Sequence, residues 1–167
     1  MKLFIACFIT LICFTVSLNA QEQETTTGQS LGLTAALQNS QMDIMMPIFL
    51  SNEVALAPSV GFSSVGDSFT DFALGLMGRF YINRSRVSPF LSARLGLLLA
   101  SPKDGDSLTD IVMGLGGGGE YFISRYFSLG VEAQLNISKS DKNSGRFGNP
   151  GGTNVNTASA IFATVYF

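Results

Sequence analysis

The sequence predicts an all-β fold, an eight-stranded antiparallel transmembrane β-barrel preceded by a cleaved signal peptide. Three observations carry that expectation. Apolar and polar residues alternate with a period of two along segment after segment, and the breaks between segments are rich in Gly, Asn, Asp and Ser. Charged residues make up only 13% of the chain, against the ~25% of an ordinary soluble domain. The few charges inside strands lie on the face opposite the large apolar side chains. In "FSLGVEAQLNIS" (127–138), Phe127, Leu129, Val131, Ala133, Leu135 and Ile137 alternate with Ser128, Gly130, Glu132, Gln134, Asn136 and Ser138.

Residues 1–20 read as the signal peptide: Lys2, then the apolar "LFIACFITLICFTV", then "SLNA" before "QEQE". That apolar run falls short of the roughly 20 residues a spanning helix needs. Residues 21–29 are a short polar segment and 30–167 form the barrel domain. Both cysteines, Cys7 and Cys13, fall inside the leader, so the exported chain is expected to carry no disulfide. The bulky Ile12 speaks against lipid attachment at Cys13. No later stretch reaches the 18 or more apolar residues of a helical span.

The expected strands cover 30–38, 44–51, 54–64, 70–82, 88–100, 109–122, 126–138 and 156–167. The fourth sets Phe72, Leu74, Leu76, Phe80 and Ile82 against Ala73, Gly75, Met77, Arg79 and Tyr81. The fifth opposes Leu91, Ala93, Leu95, Leu97 and Leu99 to Ser92, Arg94, Gly96 and Leu98. In the sixth, Ile111, Met113, Leu115 and Tyr121 face away from Gly114, Gly116, Gly118 and Glu120. The last opposes Ile161, Ala163, Val165 and Phe167 to Ala160, Phe162, Thr164 and Tyr166. The second and third strands contain Pro47 and Pro58, each deleting a ladder donor, and bulges near the rims are expected to absorb them. Breaks at 51–53, 83–87 and 124–126 are short, whereas those at 65–70, 101–109 and 141–155 are mostly longer. Short periplasmic turns and longer external loops are the habit of membrane barrels, which puts both chain ends on the short-turn side.

Arg79, Arg94, Glu120 and Glu132 decide which face is inside. Four charges could not solubilise the exterior of a soluble barrel, but they sum to zero and suit a narrow, side-chain-filled lumen. A lone buried ion costs several kcal/mol, so they are expected to form a network. Arg79 should meet Glu120, and Arg94 should meet Glu120 or Glu132, with Tyr81, Gln134 and Tyr166 in support.

"RFYINRSRVSPFLSARLGL" (79–97) and "GLGGGGEYFISRYFSLGVEAQL" (114–135) resemble hairpins of the small outer-membrane β-barrel domain family, the barrels akin to outer-membrane protein A and outer-membrane protein X. The terminal "ATVYF" resembles the signal such barrels present to the outer-membrane barrel assembly machinery, with Phe167 as its last residue. The resemblance implies this fold, the outer membrane of a Gram-negative bacterium, outer-membrane lipids as surroundings and no single activity. No cell-wall-binding domain is expected after the barrel.

Other chemistry finds little support. No His occurs, which removes His-based dyads and histidine metal ligands, so no enzyme and no cofactor are expected. "GLGGGG" fits a dinucleotide fingerprint only formally, because a strand follows where a helix is required. Asp104, Asp106 and Asp110 gather in an expected external loop but lack the Gly and Glu of a calcium loop. A net charge of −2 offers nothing to nucleic acid. The expected role is structural, maintaining the envelope or contacting an external ligand through loops, with Asp104, Asp106, Lys142, Arg146 and Phe147 as candidate contacts. Two alternatives stand beside it: a narrow channel for ions or small solutes, and a soluble secreted lipid-binding barrel.

Overall fold

The computed structural model describes residues 30–38, 41–64, 69–102 and 107–167. The leader, the polar 21–29 segment, Asp104 and Asp106 lie outside them. The strands are β1 (Gly32–Gln38), β2 (Gln41–Met45), β3 (Ile48–Phe49), β4 (Val54–Ser64), β5 (Phe69–Tyr81), β6 (Val87–Pro102), β7 (Leu108–Ser124), β8 (Phe127–Lys139) and β9 (Thr153–Tyr166). Each pairs antiparallel with its neighbours, β9 pairs with β1, and β2 pairs with both β1 and β4. The sheet therefore closes. Since β2 and β3 are two pieces of one wall strand, the barrel has eight strands.

The prolines produce an interruption without the expected bulge. Met45 faces Ser59 and Ile48 faces Leu56, the same register on either side of Met46 and Pro47. Met46 N donates to Pro58 O at 2.9 Å, and Gly32 N donates to Pro47 O at 2.9 Å. The two prolines are diagonal neighbours in the wall, so the ladder loses donors there but the chain does not slip. A register shift does occur, between Phe122 and Ser124 at the short-turn end of β7. The broken strand starts at Gln41 and ends at Phe49, three residues before and two before the expected limits of 44 and 51.

Burial alternates along the wall as in a barrel bathed in lipid. On β8 the side chains of Ser128, Glu132, Gln134, Asn136 and Ser138 are buried, whereas Leu129, Val131, Leu135 and Ile137 are exposed. Leu, Ile, Val and Phe of the other strands continue that outer surface, among them Leu74, Leu76, Leu91, Leu95, Leu115 and Ile161. Water would have to wet this entire apolar belt, while a bilayer accepts it at no cost. Strands β4 to β9, of 11 to 17 residues, reach or exceed the roughly 9–11 that a tilted crossing requires. The faces thus run opposite to those of a soluble lipid carrier, and that alternative is set aside.

Small residues let the inner faces approach. A Cβ on Gly130 would lie 2.1 Å from the Phe162 ring, and one on Gly118 would lie 2.2 Å from the Val131 carbonyl oxygen. The inward glycines of β7, Gly114, Gly116 and Gly118, are therefore a steric requirement of the lumen, whereas Gly117 and Gly119 face outward with room to spare.

Candidate functional site

The lumen is filled in layers, counted here from the short turns upward. The lowest is aromatic. Phe49 packs against Tyr81 and Tyr166 with ring centroids 5.6 and 5.9 Å apart, Phe122 stacks on Tyr166 at 5.5 Å, and the Arg84 guanidinium sits 3.8 Å from the Phe49 centroid. Within this layer Glu120, only 1% exposed, accepts hydrogen bonds from Tyr81 OH at 2.7 Å, from Tyr166 OH and from Ser128 Oγ. Three hydroxyl donors replace the water a carboxylate would otherwise keep.

Above it lies the ion pair. Arg79 Nη2 is 3.5 Å from Glu132 Oε2, and the same guanidinium lies 4.1 Å from the Phe162 centroid and 4.6 Å from that of Phe90. Glu132 Oε1 accepts from Ser92 Oγ at 2.7 Å and from Gln134 Nε2 at 2.9 Å. Next, Arg94 Nη1 donates to Gln38 Oε1 at 2.7 Å and to Gln134 Oε1 at 2.6 Å. The four predicted ionic residues do share one lumen, but their partners differ from those expected. Arg79 pairs with Glu132 where Glu120 was expected, and Arg94 binds two amides, reaching Glu132 only through Gln134. Gln38, Ser92 and Ser128 also join the network, beyond the partners the sequence predicts. Ser92 and Ser128 carried a usable signal, since both lie on the inward rows.

The upper lumen holds a cavity of about 130 Å³ whose lining mixes Asp43, Arg94, Gln134, Asn136 and Asn156 with apolar side chains such as Met77 and Leu98. Loop 140–152 folds onto the Asp110 end of β7 beside it. Asp110, fully buried at 0% exposure, accepts from Arg146 Nε at 3.0 Å, Ser144 Oγ at 2.8 Å and the Asp141 backbone N at 2.8 Å. Asp110 was expected in a solvated loop. It instead lies within β7 and anchors the mouth. Arg146 turns inward to it, and Phe147 lines the cavity. Of the described loop candidates, Lys142 alone is exposed. The burial of Asp110 explains the change, since an unpaired carboxylate there would be costly and the loop folds down to supply its cation and donors. Among the described residues no group of three acidic side chains gathers as a metal site would require.

No family model and no curated protein sequence matches the chain. Solved structures do match its fold. Neisserial surface protein A superposes with a TM-score of 0.56 at 19% identity, over 82% of this chain and 93% of that one. The N-terminal β-barrel domain of Pseudomonas aeruginosa OprF gives 0.57 at 14% identity, over 84% of this chain and 100% of that one. In fold the protein is a small eight-stranded barrel of the outer-membrane type.

Proposed function

We propose that this is an integral outer-membrane protein of a Gram-negative bacterium, with a structural role in the envelope or a contact role at the cell surface. Its short turns face the periplasm and its longer loops face outward. The observation that carries the reading is the combination of an apolar exterior with a lumen occupied by packed side chains. A barrel built this way holds its place in the bilayer and presents its ends, and it has no wide passage for solutes. The folded lid of residues 140–152 gives the outer end a defined surface on which Lys142 is exposed. That definition supports recognition better than a freely moving loop would, because less ordering entropy is lost on contact. Chain export through the leader and insertion by the barrel assembly machinery through Phe167 belong to the same proposal.

The test uses the full precursor in a Gram-negative host. The protein should sediment with detergent-extracted outer membranes and migrate differently before and after boiling in SDS, and in planar bilayers the purified barrel should be silent. Recovery as soluble periplasmic protein would refute the location, and steady conductance would refute the filled lumen. The second reading, a narrow channel, draws on the partly polar cavity beside the lid. It requires the Arg79–Glu132 layer to move aside, which would appear as conductance dependent on those residues.

A further inference from the structure

The outer wall carries a trough where β1, β9, β8 and β7 meet the lipid. It is an open hollow of about 720 Å³, lined by the small residues Ala35, Ala163 and Gly119 among Leu37, Val131 and Tyr121. Strand register fixes its course. Ala35 faces Ala163, Ala163 faces Leu129, Leu129 faces Tyr121, and Tyr121 faces Val87, while the next outward row runs through Leu37, Ile161, Val131 and Gly119, so the trough follows two adjacent rows, the lower of which crosses five strands. That row starts mid-wall on β1 and ends at the first residue of β6, on the short-turn rim. The trough is therefore oblique, with its lower end beside Arg86. There the exposed guanidinium lies 5.3 Å from the Tyr121 ring centroid, and the Arg86 carbonyl accepts from Phe122 N at 2.8 Å, which fixes the residue against β7. On the β7–β8 turn, Arg125 sits over Tyr126 at 4.6 Å. A cation at the rim and an apolar channel rising from it match an anionic headgroup with an attached hydrocarbon chain.

We propose that the trough is a binding site for an anionic phospholipid, with one acyl chain lying along Ala35, Ala163 and Gly119 and the phosphate meeting Arg86. The proposal rests on the reading that the short turns face the periplasm, because that leaflet supplies phospholipid. Arg86 provides the charge selection and the small residues provide the depth. A charge near the membrane surface contributes enough to shift affinity roughly fivefold per basic residue.

Native mass spectrometry of the refolded, detergent-released barrel tests it with phosphatidylglycerol, phosphatidylcholine and lipopolysaccharide as separate probes. A Cβ at Gly119 would meet nothing within 4 Å, so Gly119→Leu fills the trough without straining the wall. Both Gly119→Leu and Arg86→Gln should keep the boiled-versus-unboiled mobility shift. The wild-type barrel should retain one phosphatidylglycerol about fivefold more strongly than phosphatidylcholine. Arg86→Gln should erase that preference, and Gly119→Leu should reduce retention of both. Equal retention of the two lipids by the wild type, preference for lipopolysaccharide, undiminished retention by Gly119→Leu, or a dimer that Gly119→Leu dissolves would each overturn the proposal. Orientation is checked apart from it, by labelling Ser85→Cys with a membrane-impermeant maleimide on intact cells, where protection is expected.

Discussion

Replacing Glu132 with glutamine keeps the shape of the side chain and removes one negative charge from the middle of the lumen. Arg79 and Glu132 are 4% and 3% exposed, so the guanidinium would lose the carboxylate in direct contact with it and keep only Glu120 at longer range, with almost no water. Removing one partner of a buried pair costs about 3–5 kcal/mol. Two features place this case at the lower end. The pair is 3.5 Å long, and Phe90 and Phe162 both offer ring faces to the cation, each able to return up to ~2 kcal/mol when desolvated. A loss of about 3 kcal/mol is expected for Glu132→Gln, and a similar loss for Arg79→Met, which strands the carboxylate with only Ser92 and Gln134 as donors. The double variant buries neither charge. Neutral replacement of both partners is often nearly free, so it should be far more stable than the two single losses imply, with a coupling energy of about 2 kcal/mol or more. Urea unfolding in lipid vesicles, followed by the gel mobility of the folded barrel, measures all four corners of the cycle. Costs that add within about 0.5 kcal/mol would refute the ion pair as the organiser of this layer.

The wall makes its own test. Gly118→Val should cost about 3 kcal/mol or prevent folding, because its Cβ would strike the Val131 carbonyl, whereas Gly119→Val on the open outer face should change stability by less than about 1 kcal/mol; the temperature at which the mobility shift is lost compares them. At the mouth, Asp110→Asn removes the charge that holds Arg146, a charge-assisted bond worth roughly 1.5–3 kcal/mol. Trypsin cleavage within residues 140–152 should then quicken at least about tenfold, and an unchanged rate would mean that the lid is held by other contacts. Finally, Phe90→Ala combined with Phe162→Ala empties the rings around Arg79 and should give brief conductance events in planar bilayers where the parent barrel gives none. Continued silence would place the block in the aromatic layer below.

The wall was legible because the outward rows are mostly apolar and the charges Arg79, Arg94, Glu120 and Glu132 fall on the inward rows of strands β5 to β8. Glu132 between Val131 and Ala133 is enough to assign a face once the shortage of charge rules out a watery exterior. The lid was not legible. Asp110 and Arg146 lie 36 positions apart, no local pattern links them, and an Asp among Asp, Gly and Ser reads as solvated until the fold buries it. Pro47 and Pro58 are readable as ladder defects, but two isolated positions give no hint that they lie diagonally adjacent, Pro58 opposite Met46 and Pro47 opposite Ala57. As neighbours they share a single gap, which is why no bulge was needed.

The mistaken ion partners have one geometric cause. Counting four residues back from the turns at Asn83 and Ser124 puts Arg79 level with Glu120, a count that assumes the turns lie at one height on the sheet. They do not. Tyr81, the last residue of β5, is level through Phe90 with Gly118, and β7 continues from there to Ser124. Following the ladder, Arg79 is level with Ser92, Gly116 and Gln134, so Glu120 stands four residues below it on β7, about 13 Å along the strand. Glu132 stands only two residues below Gln134 on β8. Arg94 repeats the offset, being level with Gly114 and Asn136 while bonding Gln134, and so does Tyr81, level with Gly118 while bonding Glu120. Each contact is displaced two residues toward the short turns, as expected when tilted strands bring residues of one height out of ladder register. The stagger is a property of the closed barrel, and partners across its lumen follow from the pairing of strands together with their tilt.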